Sequence, residues 1–268
     1  MQVDDGKLYY EVTGEGSPLV LIHAGFLDSR MWDEQFKLFS KEFKVIRYDV
    51  RGFGKSDRPR DKFTNSNDLY SLLKHLNAPK ATLIGVSNGG AIALDFAVEH
   101  SEMLDRLILV GTGVRGYENT PVEEKIWDKF DEMMKPQELA VKENRLADAV
   151  KMDVNAWAPV QNPSNRKRIL KIAMDNAHTQ AEPPGKWQAK QDTPTFKRLH
   201  KINAPTLMIV GDKDVEGMGL LSKRLQELIP NAKLVTVEGA DHVVNLSKPE
   251  EFNRAVLEFL EKQMETNR

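Results

Sequence analysis

Apolar residues along the chain gather into short runs: MQV at 1–3, KLYYEV at 7–12, PLVLIHA at 18–24, FKVIRYDV at 43–50, ATLIGV at 81–86, DRLILVGT at 105–112, PTLMIVG at 205–211 and AKLVTVE at 232–238. Most are hydrophobic without alternation, the pattern of strands buried on both faces of a parallel sheet. Turn chemistry in DDG (Asp4 to Gly6) and TGEG (Thr13 to Gly16) separates the first three runs. The chain is therefore predicted to open with antiparallel strands.

Helical patterns lie between the later runs. DSRMWDEQFKLFS offers Asp28 and Ser29 as caps and sets Met31, Trp32, Phe36, Leu38 and Phe39 along one broad face. SNDLYSLLKHL repeats the pattern, and so does KPEEFNRAVLEFLEKQM, with Pro249 in its first turn. Strands alternating with helices in this way predict an open, doubly wound sheet.

The rhythm breaks between about Arg115 and Arg198. Helical spacing persists there (Ile126, Trp127, Phe130, Met133 and Met134, then Leu146, Ala149 and Val150), with proline-bearing loops but no strand pattern. The simplest organisation is a core domain of residues 1–115 and 199–268 that carries a helical cap insertion at 116–198.

Composition narrows the function classes. The chain has 268 residues, 40% hydrophobic and 29% charged, with a formal net charge of −2, so no global field gathers nucleic acid or an anionic membrane. The local run Arg166, Lys167, Arg168 reads as a solvated helix face. The absence of cysteine removes disulfides, thiolate nucleophiles and cysteine-ligated metal sites. Residues 1–12 show no signal-peptide pattern, and no apolar run approaches the roughly 20 residues that span a bilayer. A cytoplasmic protein without membrane or nucleic-acid partners is expected.

Gly85-Val86-Ser87-Asn88-Gly89 fits G-x-S-x-G, a pattern that chance alone produces in about one chain in ten of this length. Its context is more informative, because it stands where ATLIGV meets the small-residue helix NGGAIALDF. That is the setting of a nucleophile elbow, in which a strained turn projects the serine and its neighbours must lack side chains. Serine needs a base held by a third group. Of the six histidines, His242 follows the last strand in a glycine-containing loop before the final helix. His75, His178 and His200 read as structural or solvent-facing, and His100 closes a helix, where an imidazolium would suit the dipole. TLMIVGDKDVEGM offers Asp212 and Asp214 at the end of a strand. Asp212 suits the turn, and Asp214 is freer to reach an imidazole. The order Ser87, Asp214, His242 is that of nucleophile, acid and base in α/β-hydrolases. For a tetrahedral intermediate, one donor is the backbone N–H of Asn88. The second comes from HAGF, with Gly25 the first choice and Phe26 the second.

These stretches together, with DVRGFGKSD at 49–57, GDKD at 211–214 and GADH at 239–242, resemble the α/β-hydrolase superfamily. The resemblance runs in family order over nearly the whole chain and is nearest to small carboxylesterases, 3-oxoadipate enol-lactonase-like enzymes and perhydrolase-like esterases. It implies a mostly parallel eight-stranded sheet flanked by helices with a helical cap, and places Ser87, Asp214 and His242 in the triad with Gly25 and Asn88 at the oxyanion positions. By the same resemblance Asp49 and Arg51 are mainly structural, and the serine at the elbow separates the chain from relatives that use aspartate there.

The expected activity is hydrolysis of a small, fairly apolar ester through an acyl-enzyme, with no metal and no organic cofactor. Trp127, Met133, Met134 and Trp157 are candidates for the substrate lining. Two alternatives share the site: an enol-lactonase or carbon–carbon hydrolase with the same triad, and a slow-turnover ligand receptor or signalling hydrolase. The expected partner is a small-molecule ester or lactone substrate.

Overall fold

The computed structural model of the protein describes residues 1–265. Strands β3 (Tyr10–Thr13), β4 (Pro18–Ile22), β5 (Lys44–Tyr48), β6 (Ala81–Val86), β7 (Leu104–Val110), β8 (Thr206–Gly211) and β9 (Ala232–Val237) form one seven-stranded sheet in the order β3-β5-β4-β6-β7-β8-β9. β3 pairs antiparallel with β5, and every other pairing is parallel. Among the described residues the sheet has seven strands, not the eight expected. The first run pairs instead as a separate hairpin, β1 (Gln2–Val3) with β2 (Gly6–Lys7). DDG reverses the chain after two residues, and Val3 alone of β1 is buried, so this segment has too little apolar surface to extend the sheet edge.

The lack of alternation in the runs has a direct cause. In β4, Leu19 and Leu21 point into a core with Trp32, Phe39 and Phe252. Val20 and Ile22 point the other way, towards Leu69, Leu72 and Phe96. Both faces are covered, so both registers are apolar. The covering helices are α1 (Asp33–Phe39), α2 (Asn65–His75), α3 (Asn88–Glu99), α8 (Glu216–Leu228) and α10 (Pro249–Glu265), with the short α9 (Val244–Ser247) before the last. Asp28 caps the turn that leads into α1 by accepting from the Arg30 N–H, and Thr64 caps α2.

From β4 the chain moves to β5 on one side and later returns to β6 on the other. The loops after β4 and β6 therefore diverge above adjacent strand ends, which opens the crevice where open α/β sheets bind ligands.

Between β7 and β8 the chain folds as α4 (Pro121–Lys142), α5 (Leu146–Trp157), α6 (Pro163–Asp175) and α7 (His178–Ala181). Thr120 and Glu123 form a reciprocal capping box at the start of α4, and Asn162 with Pro163 starts α6. Two buried polar links tie these helices to the sheet domain. Asn176 donates its side-chain N–H to Asp28 at 2.8 Å and accepts the Gly54 N–H at 2.7 Å. Asp241, beside His242 in sequence, accepts from the Gln161 side chain at 2.9 Å and from the Val160 N–H at 3.1 Å. The run at 166–168 is not a wholly solvated face. Lys167 is exposed, but Arg168 is half-buried against Asp33 at 3.0 Å and Glu34 at 3.5 Å, opposite charges on α1 that pull it off the solvent side. Among the described residues no helix is long and apolar enough to cross a membrane.

Candidate active site

Ser87 stands between β6 and α3 with φ 54° and ψ −115°, a left-handed conformation that a residue with a Cβ rarely adopts. Two hydrogen bonds hold it there: its N–H donates to the Val110 carbonyl at 2.8 Å, and its carbonyl accepts from the Ala91 N–H at 3.1 Å. The flanking glycines are required by space. A Cβ on Gly85 would collide with the Gly89 carbonyl, and one on Gly89 with the Ile22 carbonyl of the neighbouring strand. The turn can therefore be this tight only with glycine at both positions.

The loop after β9 brings His242 to the same crevice. Its Nδ1–H donates to Asp214, with the two carboxylate oxygens at 3.0 and 2.9 Å. Both side chains are almost fully buried, at 2% and 1% exposure, so water competes little for this bond. Asp214 is oriented by the Val215 N–H, which donates to its Oδ1 at 2.7 Å. Asp212 points elsewhere and accepts the Gly239 N–H at 2.6 Å, closing the turn that carries the histidine loop.

No sequence motif marks Gly111, at the end of β7. It has φ 48°, and a Cβ there would lie 3.0 Å from His242 Nδ1 and 3.1 Å from Asp214 Oδ2. Its only sequence signal is a glycine that ends a buried strand in DRLILVGT.

The loop after β4 forms the opposite wall. His23 is fully buried: its Nδ1–H donates to the Ala24 carbonyl and its Nε2 accepts the Val50 N–H, both at 2.8 Å. Burial lowers its pKa and favours this neutral, bridging form. The Ala24 N–H goes to the Met31 sulfur at 3.3 Å, and the Leu27 N–H to the Ala24 carbonyl at 3.1 Å. Between them, the N–H groups of Gly25 and Phe26 find no acceptor among the described residues. A Cβ on Gly25 would sit 3.2 Å from the Asn88 Cβ, so this loop and the start of α3 face each other closely.

Ser87, His242, Gly25, Phe26, Asn88 and Trp157 all line one cavity of about 380 Å³. Of the four candidates for the substrate lining, Trp157 is there, its ring 4.5 Å from the His242 ring centre. Trp127 instead packs on α8, where a Cβ on Gly217 would touch its indole at 2.5 Å, and Met133 is 57% exposed. Met134 is half-buried and is not part of the cavity wall. Helical spacing gives these residues a shared face on α4 but not the direction in which that face packs. The wall is also more polar than the sequence suggests: Asn65, Arg115, Asp153, Gln180 and Gln188 contribute to it.

The remaining polar motifs have structural partners. Asp49 accepts the Ser29 and Lys55 N–H groups at 2.9 and 2.8 Å, and Arg51 pairs with Asp68 in the interior. His75 meets the Tyr10 hydroxyl at 3.1 Å, His178 donates to the Gly52 carbonyl at 2.9 Å, and His200 is exposed. His100 stacks on Tyr70, and burial lowers its pKa, so the neutral ring is favoured over the imidazolium expected at a helix end.

The sheet order, the strained serine turn and the buried histidine–aspartate pair define a hydrolase architecture. The chain belongs to the alpha/beta hydrolase fold family, whose profile matches residues 17–249. It is 26% identical to 3-oxoadipate enol-lactonase 2 of Acinetobacter baylyi over 96% of this chain and 94% of that protein. Among solved structures it is similar to a thermophilic esterase from Thermogutta terrifontis, with a TM-score of 0.78, 26% identity and coverage of 96% and 94%. It is also similar to a bromoperoxidase from Bacillus anthracis, with a TM-score of 0.77, 28% identity and coverage of 96% of both chains.

Proposed function

We propose that the chain is a serine hydrolase that cleaves carboxylic esters through an acyl-enzyme. The observation that carries this reading is the buried bond from His242 to Asp214 in the same cavity as a serine held at φ 54°. Ser87 attacks the ester carbonyl, and His242 takes its proton through Nε2 and later passes it to the leaving alcohol. Asp214 fixes the tautomer in which Nδ1 carries the hydrogen and stabilises the imidazolium. The N–H of Asn88 and that of Gly25, with Phe26 as the alternative second donor, receive the developing oxyanion. Water then repeats the sequence on the acyl-enzyme and releases the acid. Residues 116–198 act as the cap that closes the cavity over the reacting carbonyl.

A lactone in place of an open ester uses the same steps, and the similarity to an enol-lactonase supports keeping it as the second reading. The test is a fluorophosphonate probe together with a panel of esters and lactones, applied to the protein and to Ser87→Ala. Labelling at Ser87 and loss of nearly all turnover in the variant are expected. Undiminished hydrolysis by Ser87→Ala would sink the mechanism.

A further inference from the structure

The cavity holds an ionisable group for which the hydrolytic steps have no use. Asp153 lies on α5, half-buried, and lines the same cavity as Ser87 and His242. Its neighbours are amides: Gln180 of α7 donates to it at 2.5 Å, and Gln137 of α4 donates in turn to Gln180 at 2.8 Å. Among the described residues no lysine or arginine pairs with it. Arg115, the cation in the same wall, is bound to Asp95 on α3, which is itself buried. A carboxyl group taken out of water with no countercharge is costly, and burial pushes Asp153 up to about 6. At neutral pH it is still mostly ionised. A neutral donor is already in place, so what this site lacks is a positive charge.

The position of Asp153 on its helix adds a geometric constraint. Asp153 precedes Trp157 by four residues, so the two share one face of α5, about 6 Å apart along the axis. Trp157 lies on the imidazole of His242, and Phe130 packs on Trp157 with ring centres 4.9 Å apart. A ligand whose carbonyl sits at Ser87 and whose chain runs along this face passes an aromatic surface and then meets the carboxylate. Aromatic faces and a carboxylate together are complementary to an ammonium group.

We propose that Asp153 is a specificity-determining residue that receives a protonated amine of the substrate, so that the preferred substrate is an ester or lactone whose chain carries an amino group past the Trp157 ring from the scissile carbonyl. The inference rests on the serine-hydrolase reading for the identity of the scissile bond, but the amine site itself does not require turnover. The same carboxylate disfavours substrates with an anionic tail, such as dicarboxylate half-esters.

The test is binding to the Ser87→Ala protein at pH 7.5, measured by calorimetry. Methyl 5-aminopentanoate is compared with methyl hexanoate, its uncharged isostere, and with monomethyl adipate, its anionic counterpart. The amine is expected to bind at least about tenfold more tightly than the isostere, the size of a hydrogen bond to a charged group. Asp153→Asn in the same background should erase the difference between amine and isostere. Equal affinity for amine and isostere, or a preference that survives Asp153→Asn, overturns the proposal. The ratio with Asp153 intact decides the matter even if the second variant fails to fold. A protein that binds the amine selectively while Ser87 proves dispensable for hydrolysis would remove the serine mechanism and leave the amine site. A protein that hydrolyses neutral esters without amine selectivity would do the reverse.

Discussion

Trp157 rests its indole on the ring of His242, with centroids 4.5 Å apart and planes inclined by 46°. An indole in this position covers one face of the imidazole and limits its rotation before any substrate is bound. Trp157→Ala is expected to lower kcat by about tenfold, in line with the ~0.5–1.5 kcal/mol of an aromatic pair. Trp157→Phe should recover most of this. Steady-state kinetics on a short ester checks it, and a kcat unchanged in Trp157→Ala would show that the contact is packing only.

Asp214 holds the tautomer of His242 that leaves Nε2 free. Asp214→Asn keeps the shape but replaces an acceptor with a group that can turn its own N–H towards Nδ1. A fall in kcat of about 10⁴-fold is expected, with little change in the melting temperature. A tenfold fall or less, measured against chemically similar esters, would assign the role to another carboxylate.

Much of this arrangement could be read from the chain, and the reasons differ by element. Buried strands such as ATLIGV and TLMIVG announce themselves because both faces are covered, whereas MQV forms its antiparallel strand in a separate hairpin, because a single buried valine cannot hold it in the main sheet. Ser87 and His242 are legible as candidates because the chemistry proposed for them needs local sequence: glycines to make room, and a loop after the last strand. Gly111 and Asn176 carry no such pattern, since their partners lie far along the chain. Asp153 was legible in principle. Leu146, Ala149, Val150, Val154 and Trp157 mark an apolar stripe on α5, and an acid seven residues after Leu146 interrupts it. The direction of α4 was not legible, because helical periodicity says which residues share a face and not what covers them.

Gly111 has a conformation and a neighbourhood that both require glycine. Gly111→Ala places a Cβ about 3 Å from the His242–Asp214 bond and forces φ 48° on a residue that resists it. A destabilisation of about 1 kcal/mol from the backbone is expected. The fall in kcat should exceed what that loss of folded protein explains. Thermal melts run beside active-site titration separate the two, and a variant with normal kcat per labelled Ser87 would show that the dyad has room to shift.

Asn176 closes the gap between α6 and the sheet domain through its bonds to Asp28 and Gly54. Asn176→Ala leaves a buried carboxylate and a backbone N–H short of a partner, a loss of about 2–3 kcal/mol. Urea denaturation is the measurement. Asn176→Asp should be at least as harmful, because it sets a second carboxylate against Asp28, and a neutral result for both would mean that water replaces the amide freely.

Asp153 also sets a stability that depends on pH, with a sign opposite to that of a paired carboxylate. Its pKa is raised from 3.8 to about 6 by burial, and it is met by the uncharged Gln180 of α7, itself held by Gln137 of α4, while Arg115 and His242 are the charged or titratable side chains that share its cavity. Below the unfolded value both states hold the proton, and the group is neutral towards folding. Between about 4 and 6 the unfolded chain ionises while the native state resists, so stability falls as pH rises. Above about 6 the whole difference is present, at most about 3 kcal/mol from 1.36 kcal/mol per unit of pKa. Asp153→Asn has no such titration. It should therefore match the parent protein near pH 4 and exceed it at pH 7.5, with the gap opening across the interval between. Comparing the two proteins by denaturation at pH 4.0, 5.5 and 7.5 cancels the titration of every other group. A difference that stays constant with pH would mean that water or a cation reaches the carboxylate in the free protein, and the unmet charge on which the amine site depends would be gone.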